Sequence, residues 1–416
     1  MARTQDLVAI GFKPKDAQFL GDGSLNAMSF EGIGGAYDDA ATIQLAIDFA
    51  VSRGLGAITI PADRIYTARS TIEIPITARD LSIFGYGAQI NGAVDGDIFH
   101  LSDTTTADNA ARNIKIAGPY IAGAGYTNTT YPNQNGMRID AILGFKLEDV
   151  RIENIPNTGI IGTKSTVSGS TYWNKVIFDN VKVRFCGYQG YNIGTGDAVD
   201  DLTLTNSCIV NHCGEKVTSN LANGSSFIKA ISLNSSGLEV SGNYSISNAG
   251  FGYRWGLMVK AAGGSLDNTH YEINCNNQAG SSDLLLDSDC HGLLVQGSDH
   301  YGNSANAAKF CIQSYASDNY FTGIKWSGDG THVYDYVLEL GSATRAKWGT
   351  IYNNGSVPIG VALINGLKHR KGTTAQRPTL DDAYIGQMFM DTTLHANGLP
   401  VWWNGANWIQ YDGTAV

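Results

Sequence analysis

The chain has 416 residues, of which 50 are Gly, 9 are Pro and 43% are hydrophobic, so it can form a folded core and is not intrinsically disordered. Its formal net charge of −10 at pH 7 disfavours a sequence-independent grip on nucleic-acid phosphates. The apolar runs, such as Leu284–Leu286, are too short to span a bilayer. The first residues lack the pattern of a secretory signal.

The first element that the sequence predicts is a helix over residues 38–52. Asp38 or Asp39 can cap its N-terminus, and Gly54 can end it. Apolar residues at spacings of three and four form one face: Ile43, Ala46, Ile47 and Ala50. We expect this helix to cover the first edge of the strand-rich region that follows, which would otherwise leave strands unpaired.

The central region contains a loose repeat of short alternating strands separated by Asn or Gly. The repeated units begin at Leu147, Val176, Leu202 and Leu238, at intervals of 29, 26 and 36 residues. Alternation with a period of two buries one face of each strand, and no long helix separates the units. We therefore predict an all-β solenoid, in which each coil packs its inner face on its neighbours.

The last segment is rich in tryptophan, since three of the seven Trp lie in residues 372–416. Residues 372–378 are typical of a linker, and two aromatic-rich strands flank Asn404-Gly405, which predicts a β-hairpin. The hairpin could supply a small core or a contact between subunits, and the alternative is that its rings stack on sugars.

Two parts of the chain carry a family resemblance. The first part comprises Gly21–Asn26, Asp38–Asp48, Ala57–Ala62 and Tyr66. It resembles the opening of pectate-lyase-like right-handed β-helix proteins, an opening especially common in bacteriophage tailspike depolymerases. The second part comprises Gly372–Pro378, Gln387–Leu394 and Trp403–Trp408. It resembles a C-terminal module recurrent in phage tail fibres and spikes, and the two parts together bracket nearly the whole chain.

The resemblance implies a homotrimer of right-handed parallel β-helices that binds, and usually cleaves, a bacterial capsule or O-antigen polysaccharide. It implies a virion protein that acts outside the host cell and attaches to the phage tail or an adaptor protein. Neither a cofactor nor membrane insertion is expected. Many such spikes carry a longer N-terminal anchor than the residues before Gly21, so either the chain has been trimmed or another protein attaches it.

We expect three regions along the chain. Residues 1–56 form an N-terminal segment with the capping helix, and residues 57–371 form the β-helix with a glycan groove. Residues 372–416 form the C-terminal module, which serves trimerisation or carbohydrate binding.

The expected chemistry is cleavage of a glycan. Hydrolysis needs two carboxylates, about 5–5.5 Å apart in a retaining mechanism and about 6.5–9.5 Å apart in an inverting one. Coils of a parallel stack are about 4.8 Å apart, so equivalent positions one or two coils apart span this range. Elimination from a uronic acid instead needs a base and a cation that stabilises an enolate. We predict a hydrolase, with a lyase of the same fold or a non-catalytic receptor-binding spike as alternatives.

An alignment of strand starts predicts the groove residues. It places Tyr191, Glu215, Trp255, His291 and Asp335 on one outer stripe, each two residues before an inward apolar residue. Carboxylates there can do acid–base work, while aromatic rings and cations hold the glycan. The predicted catalytic residues are Glu215, Asp289, Asp287 and His291. The predicted substrate-binding residues are Arg254, Trp255, Tyr191 and Tyr253. This alignment matches Gly190 with Gly214, and matching Gly187 with Gly214 would instead place Tyr188 beside Glu215.

Other motifs give weaker signals. Asp200-Asp201 with His291-Gly292 resembles the paired Asp and later His-Gly of polygalacturonases, although the surrounding residues do not match. Asp299-His300-Tyr301 is a further polar corner without an assigned partner. No EF-hand, HExxH or zinc spacing occurs, so no metal site is predicted. The cysteines are predicted to be buried thiols, with disulfides as the alternative: Cys186, Cys208, Cys213, Cys275, Cys290 and Cys311.

Overall fold

The computed structural model describes the following residues of the chain: 24–32, 38–101, 111–140, 142–163, 173–195, 202–214, 216, 226–230, 238–240, 244–247, 255–267, 269–272, 282–287, 290–302, 310–315, 319–328, 336–340, 346–348, 351–353, 362–365, 370–377, 388–394, 399–404, 406–410 and 414–416. Within them, no helix is long and apolar enough to cross a membrane.

The predicted capping helix is confirmed as α1 (Asp39–Arg53). The Asp38 side chain accepts a hydrogen bond from the backbone N–H of Ala41, and Gly54 ends the helix with a left-handed φ of 62°. The apolar face is buried: Ala40, Ile43, Ala46, Ile47 and Ala50. The helix packs on the first strands that follow it, where the Asp39 carboxylate also accepts the backbone N–H of Thr67 at 2.7 Å.

The strands, numbered in chain order, form three parallel sheets that the chain visits in turn, so the predicted all-β solenoid is confirmed. Sheet A contains β1 (Leu25–Asn26), β2 (Ala57–Thr59), β5 (Ser82–Phe84), β8 (Ala111–Ala117), β11 (Ile142–Glu148), β14 (Trp173–Asp179), β17 (Leu202–Thr205), β20 (Leu238–Val240), the second part of β22 (Trp255–Asp267), β25 (His291–Gln296), β28 (Asn319–Thr322) and β31 (Ala346–Trp348). Sheet B contains β3 (Ile65–Ala68), β6 (Gln89–Gly92), β9 (Tyr120–Ala122), β12 (Arg151–Ile155), β15 (Lys182–Cys186), β18 (Ile209–Cys213), β21 (Tyr244–Ser247), β23 (Thr269–Glu272), β26 (Asp299–Gly302), β29 (Ile324–Gly328) and β32 (Ile351–Asn353). Sheet C contains β4 (Ile72–Ile74), β7 (Asp97–Leu101), β10 (Asn135–Ile139), β13 (Ile160–Thr163), β16 (Tyr191–Thr195), β19 (Ser226–Ala230), the first part of β22, β24 (Ser282–Leu286), β27 (Phe310–Ser314), β30 (Tyr336–Leu340) and β33 (Ala362–Asn365).

The core consists of apolar side chains stacked in register through successive coils. One column of sheet A has buried side chains at Ile58, Ile83, Ile116, Leu147, Phe178 and Leu204, and again at Leu266, Val295 and Phe321. Val176, Leu202 and Leu238 are vertical neighbours as the repeat predicted, whereas Leu147 pairs with Phe178 rather than Val176. Since the shift is two residues, Leu147 still points inward.

The chain divides into two compact units, Met1–Leu363 and Ile364–Val416. In the second unit, β34 (Arg370–Gly372), β35 (Met388–Asp391), β36 (Leu399–Trp403) and β37 (Trp408–Ile409) form one sheet. The predicted hairpin is confirmed, since Trp403 of β36 pairs with Trp408 of β37 in antiparallel register. These two rings pack with Phe389 and Val401 in a small buried core.

Five of the six cysteines lie among the described residues, and each is a free, buried thiol: Cys186, Cys208, Cys213, Cys290 and Cys311. This confirms the predicted state for these five. Cys275 lies outside the described residues.

An ion network lies on the outer face of sheet C. His100 contacts Asp140 at 2.8 Å through Nε2 and Glu73 at 3.0 Å through Nδ1, and Arg138 contacts Asp140 at 2.9 Å. Burial lowers the pKa of His100, but the hydrogen bonds to Asp140 and Glu73 outweigh it and raise the pKa to about 10. Every member of this network has a charged partner, which is typical of a structural role.

We expect the His100→Gln variant to flatten the pH dependence of stability. The raised pKa stabilises the folded chain below the ordinary pKa of 6.5, and this contribution is lost as the pH rises through about 10. The free energy of unfolding of the wild type should therefore fall by about 2 kcal/mol more than that of the variant across this interval. Urea unfolding at both ends of the interval measures the difference. The His270→Gln control should keep the wild-type profile, because the pair of His270 with Asp299 is exposed.

Candidate functional site

An aromatic column, formed by Tyr126, Phe185 and His212, lies at the corner between sheets B and C. The ring centroids of Tyr126 and Phe185 are 6.5 Å apart, and those of Phe185 and His212 are 5.1 Å apart. Both pairs are stacked, at interplanar angles of 23° and 17°. All three side chains are half-buried, so the column offers partly exposed ring surface along the solenoid axis.

The backbone places this column. Asn154, Phe185 and His212 precede the last residues of β12, β15 and β18, with positive φ values of 58°, 53° and 49°. This conformation interrupts the alternation, so Cys186 enters the core and Phe185 stays at the corner. Asn and His tolerate the left-handed region, but this conformation costs about 1–3 kcal/mol at Phe185. The cost makes the column a functional candidate rather than a packing solution.

A charged cluster on the outer face of sheet B adjoins the column. Glu153 is buried and accepts hydrogen bonds from Nε and Nη2 of Arg151, the latter at 2.7 Å. Arg184 lies 3.9 Å from Glu153, and the Tyr120 hydroxyl donates to it at 3.3 Å. The side chains of Arg151 and Arg184 stay 50% and 33% exposed, and Lys182 is level with Arg151. This patch therefore carries more positive than negative charge in a chain of net charge −10.

The loop of residues 123–134 borders the same corner. Its backbone is tied to sheet B, since Gly125 N–H donates to the Asn154 carbonyl at 2.8 Å. The Lys216 ammonium donates to the Asn128 carbonyl at 3.4 Å, and burial lowers the pKa of Lys216. Tyr188 is 38% exposed next to this position. We call the aromatic column, the charged cluster, Tyr188 and Lys216 together the corner site.

The corner site combines the two contacts that an acidic glycan needs. Partly exposed rings can stack on the C–H faces of sugars, and guanidinium groups bind carboxylate or sulfate substituents in two-point fashion. Glu153 accepts hydrogen bonds from Arg151 and lies 3.9 Å from Arg184, so it orients the guanidinium groups.

The structure corrects the position predicted for Tyr191. This side chain is fully buried in the core, its ring packs on Phe178 at 5.8 Å, and its hydroxyl donates to the Val181 carbonyl at 3.5 Å. Tyr191 lies two residues before the inward Ile193, and in a regular strand both point the same way. It therefore does not face an outer groove.

The structure also corrects the register on which the outer stripe was predicted. Cys186 pairs with Cys213, so Gly187 is level with Gly214, which is the register of the alternative alignment. Trp255 begins the part of β22 that belongs to sheet C, whereas His291 begins β25 in sheet A. The predicted residues therefore do not share one stripe.

Several predicted site residues lie outside the described residues: Glu215, Arg254, Tyr253, Asp289 and Asp335. The neighbours of Glu215, Gly214 and Lys216, lie at the corner between sheets B and C, beside Gly187. Asp287 is half-buried after β24, at the corner between sheets C and A. Within one chain, Gly214 and Lys216 therefore lie at a different edge from Asp287.

Sequence reasoning missed the aromatic column. The signal is present in Phe185-Cys186-Gly187 and His212-Cys213-Gly214, which are 27 residues apart. Aligning these two triplets places Phe185 beneath His212, and the structure has this register. The alternation of apolar and polar residues does not by itself predict the aromatic column, because the positive φ shifts the inward position by one residue.

We expect the Phe185→Asn variant to bind polysaccharide about 10-fold more weakly, because it removes the middle ring of the column. Asn occupies the same column at position 154, so the backbone can keep its conformation. The Tyr320→Asn variant is the control, since Tyr320 is 40% exposed on sheet A. Calorimetric titration measures both affinities, and an equal loss in the two variants would contradict a role for the column.

The comparisons with known proteins bear on the fold. No protein-family model matches the chain, and no curated protein matches it. Solved structures with a similar fold include the A-module of mannuronan C-5 epimerase AlgE4 from Azotobacter vinelandii, with a TM-score of 0.50, 13% identity and coverage of 80% of this chain and 97% of that one. Another is tailspike protein 2 of an Escherichia coli O157:H7 bacteriophage, with a TM-score of 0.54, 14% identity and coverage of 80% and 43%. A third is DFA-IIIase from Arthrobacter chlorophenolicus A6 in complex with DFA-III, with a TM-score of 0.52, 12% identity and coverage of 81% and 85%.

These likenesses show that the chain shares the parallel β-solenoid architecture with a phage tailspike and with carbohydrate-modifying enzymes. The chain spans less than half the length of the tailspike that it matches.

Proposed function

We propose that the protein is a phage tailspike that binds a bacterial capsule or O-antigen polysaccharide at the corner site and cleaves it internally. The observation that carries the proposal is the aromatic column beside exposed Arg151 and Arg184 on the outer surface of a parallel β-solenoid. The fold that the chain shares with a tailspike supports a location on the virion tail. The proposal includes a homotrimer attached to the phage tail or an adaptor protein.

Glycan cleavage is proposed to proceed by hydrolysis, with Glu215 as an acid–base residue. Its neighbours Gly214 and Lys216 lie at the corner that also carries the aromatic column. A glycan stacked on the rings would therefore run past this segment. The other carboxylate that hydrolysis needs can come from another segment or from a neighbouring subunit of the trimer.

The test incubates the purified full chain with a panel of bacterial capsular and O-antigen polysaccharides. Size-exclusion chromatography with light scattering should show a rapid fall in molar mass for one of them, with new reducing ends. New ultraviolet absorbance from an unsaturated uronic acid would show that cleavage proceeds by elimination rather than by hydrolysis. Binding without a change in molar mass would support a receptor-binding spike, and an absence of binding across the panel would contradict the proposed function.

A further inference from the structure

Three side chains with metal-binding atoms meet inside the solenoid: Asp283 of β24, His300 of β26 and Cys311 of β27. Their ligand atoms lie within 4.8 Å of one another, and all three residues are buried. His300 Nδ1 lies 2.8 Å from the Asp283 carboxylate, and Nε2 lies 3.2 Å from the Ser298 hydroxyl. The Tyr271 ring stacks on the His300 ring at 4.9 Å.

The cluster occupies a position that holds glycine in three earlier coils. Gly136, Gly159 and Gly190 stand just before Met137, Ile160 and Tyr191, at the start of sheet C. A Cβ at each of these glycines would collide with the sheet-B side chain of the next coil: Ile152, Val183 and Val210 respectively. This column therefore points from sheet C across the interior toward sheet B.

Asp283 and Cys311 stand at the same position of later coils, just before Leu284 and Ile312. The sheet-B column continues from Val210 through Ile246 and Tyr271 to His300. Asp283 faces His300 of the next coil just as Gly190 faces Val210, and Cys311 is directly above Asp283. Where those three earlier coils pack Gly against an aliphatic residue, these coils bring together a carboxylate, an imidazole and a thiol.

Burial of these three donor groups is energetically unfavourable, but together they can bind a metal ion. Burying a carboxylate and an imidazole in the core costs desolvation energy that burying an aliphatic pair would not. One thiolate, one imidazole and one carboxylate are ligands that Zn²⁺ accepts in tetrahedral sites. Binding of the metal would displace the proton of the Cys311 thiol, because the thiolate is the ligand form. Ser298 lies within reach of the imidazole as a further polar neighbour.

The geometry points to a structural zinc site formed by Asp283, His300 and Cys311, which ties β24 to β26 and β27 across the interior of the solenoid. The ion would enter as the coils close, because the three residues are buried in the folded chain. The site lies in the core, away from the corner site, and its existence does not depend on the proposed glycan chemistry.

The test loads the full chain with zinc during expression, dialyses it against metal-free buffer and measures metal by plasma mass spectrometry. We expect about one zinc ion per chain. The Cys311→Ser and His300→Gln variants should lose the ion. The Cys208→Ser variant is the matched control and should retain it, because Cys208 is a buried thiol that donates to the Phe178 carbonyl in another part of the core.

Cobalt substitution keeps the test decisive if a variant fails to fold. Wild-type protein produced with Co²⁺ should show a thiolate-to-cobalt charge-transfer band in the near ultraviolet. A folded wild-type chain that retains no zinc and shows no such band would overturn the site and leave a buried Asp–His pair. Equal metal loss in the Cys208→Ser and Cys311→Ser variants would overturn it as well.

Discussion

The Gly136→Ala variant is expected to lose about 3 kcal/mol of free energy of unfolding. A Cβ on Gly136 would lie 2.6 Å from the Gly159 carbonyl oxygen of the next coil and would also collide with the Ile152 side chain. The backbone neighbour cannot move without breaking the hydrogen bond from Met137 N–H to the Gly159 carbonyl, at 2.9 Å. The substitution therefore strains the stacking of two coils. The urea concentration at the midpoint of unfolding measures the resulting loss of stability.

The Gly96→Ala variant is the matched control. The nearest atom to a Cβ there is 4.0 Å away, on the Val94 side chain, so we expect a change within about 0.5 kcal/mol. If Gly136→Ala unfolds at the same urea concentration as Gly96→Ala, the interior does not have the described packing of sheet C against sheet B.

The Glu215→Gln variant is expected to lower the rate of polysaccharide cleavage by about 10²–10⁴-fold and to leave affinity within about two-fold. Gln keeps the size of the side chain but cannot exchange a proton with the glycosidic oxygen or a water. Because the proposed role is proton transfer, the loss should appear in kcat rather than in KM. Reducing-end assays across substrate concentrations separate the two.

The Asp287→Asn variant tests which edge of the solenoid carries the cleavage chemistry. Asp287 lies at the corner between sheets C and A. If the corner site acts within a single chain, this substitution should keep the cleavage rate within a few-fold of the wild-type rate. A large loss in Asp287→Asn with normal activity in Glu215→Gln would place the chemistry at the other edge. A large loss in both would indicate a site completed by a neighbouring subunit.

The architecture could be predicted because it depends on local patterns that repeat. Alternation with a period of two, Asn and Gly at corners and the capped helix α1 each act within a few residues. The repeat predicts the observed register of Val176, Leu202 and Leu238, since each starts the same kind of strand in successive coils.

The site could be predicted only in part, because its position depends on single-residue shifts. The predicted register matches Gly190 with Gly214 and places Tyr191 outside, whereas the structure pairs Cys186 with Cys213 and buries Tyr191. A positive φ at Phe185 moves the inward position to Cys186, and no hydrophobic pattern reports that shift. The contact between Asp283 and His300 joins two different sheets, so strand periodicity within either sheet does not reveal it.

The most direct test of the account is a crystal structure of the full chain with an oligosaccharide of the polysaccharide that it binds. We predict sugar rings stacked on Tyr126, Phe185 and His212, with an acidic substituent within hydrogen-bonding distance of Arg151 or Arg184. An oligosaccharide bound beside Asp287, or on the outer face of sheet A, with the aromatic column unoccupied would contradict the proposed site.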